Sequence, residues 1–245
     1  MSRPRPSAVS RFPWRSLLSL WALATSACVA TTCPAPRTLL EFAGAPRHTV
    51  DPSRAALVII DAQEEYVRGS LPLAGVEEAI AESVRVRHWA QAHGVPIFHI
   101  VHHGKPGSAL FNPEGPLAAI VPALTPEPGE AVLIKHLPNA FAGTELHERL
   151  KQLGRTELVL VGFATHMCVS STARAALDLS YRTTVVARAT ATRDLPDGTG
   201  GVVPAQWVQA TVLAELGDRF ATVVQGAGDL PGASRANLSD NQTSF

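Results

Sequence analysis

Asp61, Lys135 and Cys168 each follow a short apolar segment of the chain. A thiol becomes a nucleophile when a base takes its proton, and a nearby cation favours its ionised form. A carboxylate, an ammonium group and a thiol at one place would therefore suit attack on a carbonyl carbon. Cys168 also lies where a turn enters a predicted helix, whose N-terminus should stabilise a thiolate. A single charged residue after a strand is common by chance, so the prediction depends on all three lying together.

The elements that would position these residues alternate between strand and helix. Continuous apolar runs predict strands that are buried on both faces, and helical spacing of apolar residues predicts the segments between them. The predicted strands cover residues 56–60, 96–101, 131–134, 158–161, 183–187 and 220–224. The predicted helices cover residues 76–94, 144–154 with Thr144 as cap, 169–179 and 206–216. This order predicts an α/β fold, a three-layer α-β-α sandwich with a mostly parallel central sheet and its site at the carboxyl ends of the strands.

Composition and charge narrow the possible functions. The 245 residues include 21 basic and 21 acidic side chains, so the formal net charge is zero. This balance gives no electrostatic basis for binding nucleic acid. Hydrophobic residues make up 46% of the chain, which is enough for a sizeable core. Three cysteines cannot form a disulfide framework, and two of them lie before residue 37, which leaves Cys168 alone in the body of the chain.

The two ends of the chain differ from its middle. Residues 1–37 carry arginines before an uncharged run, which predicts either an export signal or a disordered extension. The apolar part is too short for a comfortable membrane span, so we expect no membrane contact for the mature domain. We predict a cytoplasmic protein, or an exported one if this segment is a signal peptide. Residues 226–245 predict a flexible tail, which leaves residues 38–225 as one domain.

The segments around the three reactive side chains resemble those of the isochorismatase-like cysteine hydrolases, a family that includes nicotinamidases and related amidohydrolases. The matching segments are residues 57–63, Lys135 with residues 140–141, and residues 162–169 with residues 172–174. The resemblance spans about residues 38–225. It implies a Rossmann-like sandwich and a catalytic triad of Asp61, Lys135 and Cys168.

The resemblance also implies a mechanism. Cys168 would attack the carbonyl of a small C–N substrate and form a thioester, while Asp61 takes the thiol proton. Lys135 would favour both the carboxylate and the thiolate. Family members have a cis peptide bond before the nucleophile, here between Phe163 and Ala164, and the N–H groups of Ala164 and Cys168 would hold the developing oxyanion.

Five further residues are candidates for substrate binding: Gln63, Tyr66, His103, Phe141 and His166. Gln63 could instead hydrogen-bond the backbone at the strand end, and His166 could contact either substrate or a neighbouring subunit. His103 is interpreted as part of the pocket wall. An aromatic residue in an α/β protein more often packs in the core, so Tyr66 and Phe141 have that alternative too.

Nicotinamidases hold a metal ion with an Asp-x-His-x-x-x-His motif after the second strand. Residues 99–104 read HIVHHG here, with no aspartate at the required spacing. Strand alternation places His99 and His103 on one face and His102 on the other. A metal site needs three or more converging ligands, so we predict no metal ion and no cofactor.

Three functions remain open from the sequence. The first is a cysteine amidohydrolase, and the second is an isochorismatase-type vinyl-ether hydrolase, for which Asp61 would matter and Cys168 would not. The third is a catalytically silent family member that keeps the fold. Rapid labelling of Cys168 by iodoacetamide near neutral pH would favour the first over the third. The expected partners are a small-molecule substrate and further copies of the chain in a homo-oligomer, with no nucleic acid.

Overall fold

A computed structural model describes residues 35–233 of the chain. Its strands are Ala55–Ile60 (β1), Ile97–His102 (β2), Ala131–Lys135 (β3), Glu157–Phe163 (β4), Arg182–Ala191 (β5), Leu195–Pro196 (β6), Val202–Val203 (β7) and Thr222–Val224 (β8). Its helices are Leu39–Phe42 (α1), Val76–Ala92 (α2), Leu146–Gln152 (α3), Ser170–Asp178 (α4) and Ala205–Glu215 (α5). None of these helices is long and apolar enough to cross a membrane. The predicted export signal lies outside the described residues.

Six strands form one parallel sheet in the order β3-β2-β1-β4-β5-β8. The central strands β1 and β4 are buried along their whole length, as their continuous apolar runs predict. Successive side chains of β1 point to opposite faces of the sheet. Leu57 and Ile59 belong to the apolar cluster that includes α2, whereas Val58 and Ile60 belong to the cluster that includes α3 and α4. The predicted α-β-α sandwich is therefore confirmed.

Two of the differences between predicted and observed boundaries have a clear local cause. Strand β5 continues to Ala191, four residues beyond its predicted end, because Arg188 and Thr190 interrupt the apolar run there. Helix α3 begins at Leu146 rather than directly after Thr144. The Thr144 hydroxyl donates to the Ala140 carbonyl oxygen at 2.6 Å and accepts from the Leu146 N–H at 3.3 Å. Thr144 therefore stabilises the turn before the helix.

The tail predicted to begin at residue 226 is packed in its first part. Ala227 and Leu230 are buried in the cluster beside α2. The indole N–H of Trp89 donates to the Pro231 carbonyl oxygen at 2.8 Å. The prediction of a flexible tail is therefore wrong for residues 226–233. Their Gly-rich composition is typical of a loose segment, but two apolar residues among them are buried. The rest of the predicted tail, residues 234–245, lies outside the described range.

Gly162 allows the ends of β4 and β1 to approach each other closely. Its φ angle is +107°, and a β carbon at this position would lie 2.0 Å from the Ile60 carbonyl oxygen. Both strands are central, so neither backbone can move aside easily. We therefore expect Gly162→Ala to lower the free energy of unfolding by about 3 kcal/mol, measured by urea denaturation.

Gly154→Ala is the matched control for this prediction. Gly154 also has a positive φ of +63°, but no heavy atom lies within 4 Å of the position that its β carbon would take. Only the backbone strain remains, so the expected loss is about 1 kcal/mol. Equal losses in the two variants would contradict the role of close approach at Gly162.

Candidate active site

The side chains of Asp61, Lys135 and Cys168 meet at the carboxyl edge of the sheet. Asp61 directly follows β1, Lys135 is the last residue of β3, and Cys168 lies in a π-helical turn, Thr165–Val169, that follows β4. Lys135 Nζ lies 2.7 Å from Asp61 Oδ2 and 3.4 Å from Cys168 Sγ. All three residues are buried. The fold thus brings together an acid, a cation and a thiol from three different strand ends.

The backbone at Asp61 adopts a conformation that is uncommon for a residue with a side chain. Its φ angle is +46°, and such positions cost about 1–3 kcal/mol. Hydrogen bonds hold it on both sides: its N–H donates to the Ile100 carbonyl oxygen at 2.8 Å, and its carbonyl oxygen accepts from the Gln63 N–H at 2.8 Å. The carboxylate is therefore attached to a rigid strand end rather than to a mobile loop.

The turn that carries Cys168 is tied to its surroundings. The Phe163–Ala164 peptide bond is cis, at the position that the resemblance implied. The Ala164 carbonyl oxygen accepts from the N–H groups of Met167 at 3.0 Å and Val169 at 3.3 Å. Cys168 therefore lies inside a tight turn, two residues before α4 begins.

Burial controls the protonation of the acid and the thiol. Burial raises the pKa of Asp61 to about 6, against the opposing charge of Lys135. Burial, followed by the negative charge of Asp61, raises the pKa of the Cys168 thiol to about 12, although Lys135 opposes this shift as well. The free site near neutral pH therefore contains a carboxylate beside a neutral thiol. Burial thus opposes the thiolate that the neighbouring cation would favour, and the sequence does not indicate the depth of burial.

His102, rather than the predicted His103, lies beside Lys135 at the site. Its Nδ1 lies 3.1 Å from Lys135 Nζ, and its ring packs edge-on against Phe111 with the centroids 5.0 Å apart. The backbone carbonyl oxygen of His103 accepts from His136 Nδ1 at 2.8 Å. Strand alternation separates His102 from His99, as predicted, but it does not indicate which of His102 and His103 lines the cavity.

Gln63 and Phe141 have partners other than a ligand. The side-chain amide of Gln63 donates to the carbonyl oxygens of His102 at 2.9 Å and Ala118 at 2.7 Å, and its oxygen accepts from the His102 N–H at 2.8 Å. Gln63 therefore holds the strand-end backbone, which was the alternative interpretation. Phe141 stacks on Tyr181 with the centroids 5.7 Å apart, so it is a packing residue. Neither side chain is among those that line the cavity beside Cys168.

A cavity of about 250 Å³ opens onto Cys168. Two predicted substrate-binding residues, Tyr66 and His166, line it. Burial raises the pKa of Tyr66 and lowers the pKa of His166, so both side chains favour their neutral forms. His166 Nδ1 lies 2.6 Å from the Thr192 hydroxyl, which orients the ring. Tyr66 and His166 therefore present neutral side chains to the cavity.

Arg193 also lines this cavity, although no sequence pattern used above indicates it. It lies two residues after β5, so it obeys the same rule as Asp61: a charged residue just past a strand end. The rule was not applied to Arg193 because the predicted strand ended at residue 187. Leu71, Pro138 and Met167 complete much of the apolar wall.

His99 lies on the opposite face of the sheet from this site. It is buried, its Nε2 lies 2.7 Å from Glu130 Oε2, and Glu130 also pairs with Arg87 at 2.9 Å. Burial lowers the pKa of His99. Within residues 35–233, no three His, Cys, Asp or Glu side chains come together in a way that could hold a metal ion.

Comparison with known proteins agrees with the fold and the strand-end motifs. Residues 55–227 match the family model of the isochorismatase domain. The chain is 40% identical over 181 residues to a "Secreted isochorismatase effector" from Verticillium dahliae, covering 74% of this chain and 93% of that protein. It is 31% identical over 176 residues to a ureidoacrylate amidohydrolase from Methylobacterium radiotolerans, covering 58% and 68% of the two chains.

A solved structure of an isochorismatase from Pseudomonas putida is 42% identical and superposes with a TM-score of 0.75. The match covers 80% of this chain and 99% of that one. These matches confirm the resemblance that the residues around Asp61, Lys135 and Cys168 indicate. The chain therefore belongs to the isochorismatase family of hydrolases.

Proposed function

We propose that this protein is a cysteine amidohydrolase that cleaves a C–N bond of a small molecule through a thioester on Cys168. The observation that carries the proposal is the contact of Lys135 Nζ with both Asp61 Oδ2 at 2.7 Å and Cys168 Sγ at 3.4 Å. The cavity of about 250 Å³ beside the thiol suits a small substrate. The amidohydrolase among the relatives supports the choice of bond.

The acylation step begins from the neutral thiol. Asp61 takes the Cys168 proton as the sulfur attacks the amide carbonyl carbon, and the C=O bond opens to an oxyanion. The backbone N–H groups of Ala164 and Cys168 hold the oxyanion. Lys135 keeps its protons and stabilises the negative charge that moves between carboxylate and sulfur. Asp61 then gives its proton to the leaving nitrogen, and the C–N bond breaks to give the thioester and a free amine or ammonia.

The deacylation step uses the same carboxylate. Asp61 takes a proton from water, whose oxygen attacks the thioester carbonyl. The C–S bond breaks, the acid product leaves, and Asp61 returns the proton to the sulfur of Cys168. The enzyme thus ends in its starting protonation state, and no external oxidant or reductant is needed.

A panel of small carboxamides tests the proposal, with ammonia release as the readout from the purified protein. Hydrolysis of at least one amide by the protein, absent from a Cys168→Ala variant, would support it. Cleavage of a vinyl ether with no hydrolysis of any amide would contradict it.

The pH dependence of amide hydrolysis should follow the ionisation of Asp61. Because the carboxylic acid form cannot accept the thiol proton, kcat/KM should rise with pH through about 6, the raised pKa of Asp61. The measurement is a pH profile of ammonia release, with circular dichroism at each pH as the control for folding. A flat profile between pH 5 and pH 8 would contradict a role for Asp61 as the base.

The second candidate is vinyl-ether hydrolysis of the isochorismatase type. The fungal relative that is 40% identical to this chain carries that activity in its name. Asp61 would then act as a general acid, for which a pKa of about 6 is well suited. Cys168 would take no part, so a Cys168→Ala variant would keep its activity on the ether.

The extent of the domain, its assembly and its location in the cell are further proposals. We propose that the hydrolase domain covers residues 38–233 and forms a homo-oligomer. Val132 and Ile134 on the edge strand β3 are both 48% exposed, and burial against another copy would cover them. A cytoplasmic location remains the first hypothesis. The name of the fungal relative is compatible with the exported alternative.

A further inference from the structure

The ammonium group of Lys135 is surrounded by three acceptors. Nζ lies 2.7 Å from Asp61 Oδ2, 3.1 Å from His102 Nδ1 and 3.4 Å from Cys168 Sγ. A lysine ammonium carries three hydrogens and accepts none. Its hydrogens face these three groups, and because the ammonium group accepts nothing, His102 Nδ1 must present a lone pair to Lys135. The hydrogen of the neutral imidazole is consequently on Nε2.

Two further contacts keep the His102 ring in this orientation. The Gln63 amide holds the backbone of His102 from both sides, at 2.9 Å and 2.8 Å. The ring packs edge-on against Phe111. Burial, followed by the charge of Lys135, lowers the pKa of His102 to about 4, so the ring stays neutral near pH 7. Flipping the ring would turn a carbon atom toward an ammonium hydrogen, which would lose a hydrogen bond.

The Nε2–H group is left as a donor at the cavity. Among the contacts of residues 35–233, the His102 ring makes its hydrogen bond through Nδ1. The ring lines the same cavity as Cys168, next to the apolar side chains of Leu71, Pro138 and Met167. A donor in such a place loses free energy when a ligand covers it without accepting its hydrogen.

We propose that His102 determines specificity: its Nε2–H donates a hydrogen bond to a second oxygen of the substrate, apart from the oxygen of the amide that is cleaved. The preferred substrates are then small carboxamides that carry a further carbonyl, ether or carboxylate oxygen. This inference rests on the proposed amidohydrolase function. Sites that hydrogen-bond a substrate oxygen reject analogues that lack it, whereas apolar walls discriminate weakly.

Two substitutions test the roles of the two ring nitrogen atoms separately. His102→Asn places its side-chain oxygen near the position of Nδ1, so it keeps an acceptor for Lys135 and loses the pocket donor. His102→Gln places its side-chain nitrogen near the position of Nε2, so it keeps the pocket donor and loses the acceptor. A purely structural role would make the two variants similar.

The experiment measures kcat/KM for pairs of carboxamides that differ in the second oxygen. In the parent protein, we expect the amide with the oxygen to be preferred by about 10–100-fold, the cost of leaving one buried donor unpaired. His102→Asn should lose this preference, mainly through a higher KM for the amide that carries the second oxygen. The acid limb of its pH profile of kcat/KM should stay near pH 6. His102→Gln should keep the preference. A preference that survives in the Asn variant, or disappears in the Gln variant, would overturn the proposal.

Nuclear magnetic resonance of protein labelled with ¹⁵N-histidine gives a second test without substrate. We expect the His102 ring to remain in the neutral Nε2–H form from pH 5.5 to pH 9. A proton on Nδ1 in this range would overturn the inference. Equal hydrolysis of both amides of each pair would overturn the specificity role alone. If the parent protein hydrolysed no carboxamide at all, the proposed function would fail, and the specificity role with it.

Discussion

Cys168→Ala should abolish amide hydrolysis while the protein remains folded and still binds the amide. Without the sulfur there is no atom to carry the acyl group, so the thioester cannot form. We expect kcat to fall by at least about 10³-fold, because a lost nucleophile leaves only the contribution of the surrounding site. Ammonia release measures turnover, and urea denaturation checks that the fold survives the substitution.

Ser170→Ala is the control for this variant. Ser170 lies two residues further along, and its hydroxyl accepts from Arg174 Nε at 3.3 Å, so this substitution removes one side-chain atom outside the site. It should hydrolyse the amide at close to the parent rate. Amide turnover by Cys168→Ala at the parent rate would contradict the thioester mechanism. Retained activity on a vinyl ether would favour the second candidate function instead.

Lys135→Met should damage both activity and stability. Lys135 and Asp61 are fully buried, with Nζ 2.7 Å from Oδ2, so the substitution leaves an unpaired carboxylate inside the protein. Breaking a buried pair in this way costs about 3–5 kcal/mol. The pKa of Asp61 should rise above its parent value of about 6, so that less of the base form is present at neutral pH. We expect kcat/KM at pH 7 to fall by at least about 10²-fold.

The stability of this variant should also depend on pH in a defined direction. The native variant would hold a proton on Asp61 at pH values where the unfolded chain, with a carboxyl pKa of about 3.9, does not. Because the native state then binds more protons than the unfolded state, the free energy of unfolding falls as pH rises. Between pH 6 and pH 8, the free energy of unfolding measured by urea denaturation should fall more in Lys135→Met than in the parent.

Lys151→Met is the control for the removal of a lysine. Lys151 is exposed on α3, so its loss should change the free energy of unfolding by no more than about 0.5 kcal/mol at either pH. If Lys135→Met had the same stability as the parent at pH 8, the buried pair would not have the electrostatic role assigned to it.

The sheet and the three reactive residues could be predicted from the sequence because both follow simple patterns. The central strands are continuous apolar runs, and such runs can be recognised without knowing their partners. Parallel strands bring their carboxyl ends to one edge, so Asp61, Lys135 and the turn with Cys168 were expected to meet there.

Other features depend on where an element ends, and the sequence indicates this poorly. Strand alternation separates His102 from His99, but it does not indicate which of His102 and His103 reaches the cavity at the end of β2. Arg193 could not be predicted because β5 is longer than its apolar run. The protonation of Cys168 depends on the burial of the whole site, which no local pattern reports.

The central claim is that the Asp61 carboxylate controls the proton of the Cys168 thiol. The most direct measurement is the pKa of this thiol in the parent protein and in Asp61→Asn, obtained from the pH dependence of its alkylation by iodoacetamide. The substitution removes the negative charge that raises the thiol pKa and leaves Lys135, which lowers it. We expect a lower thiol pKa in Asp61→Asn. A thiol pKa that stays unchanged or rises in this variant would contradict the claim.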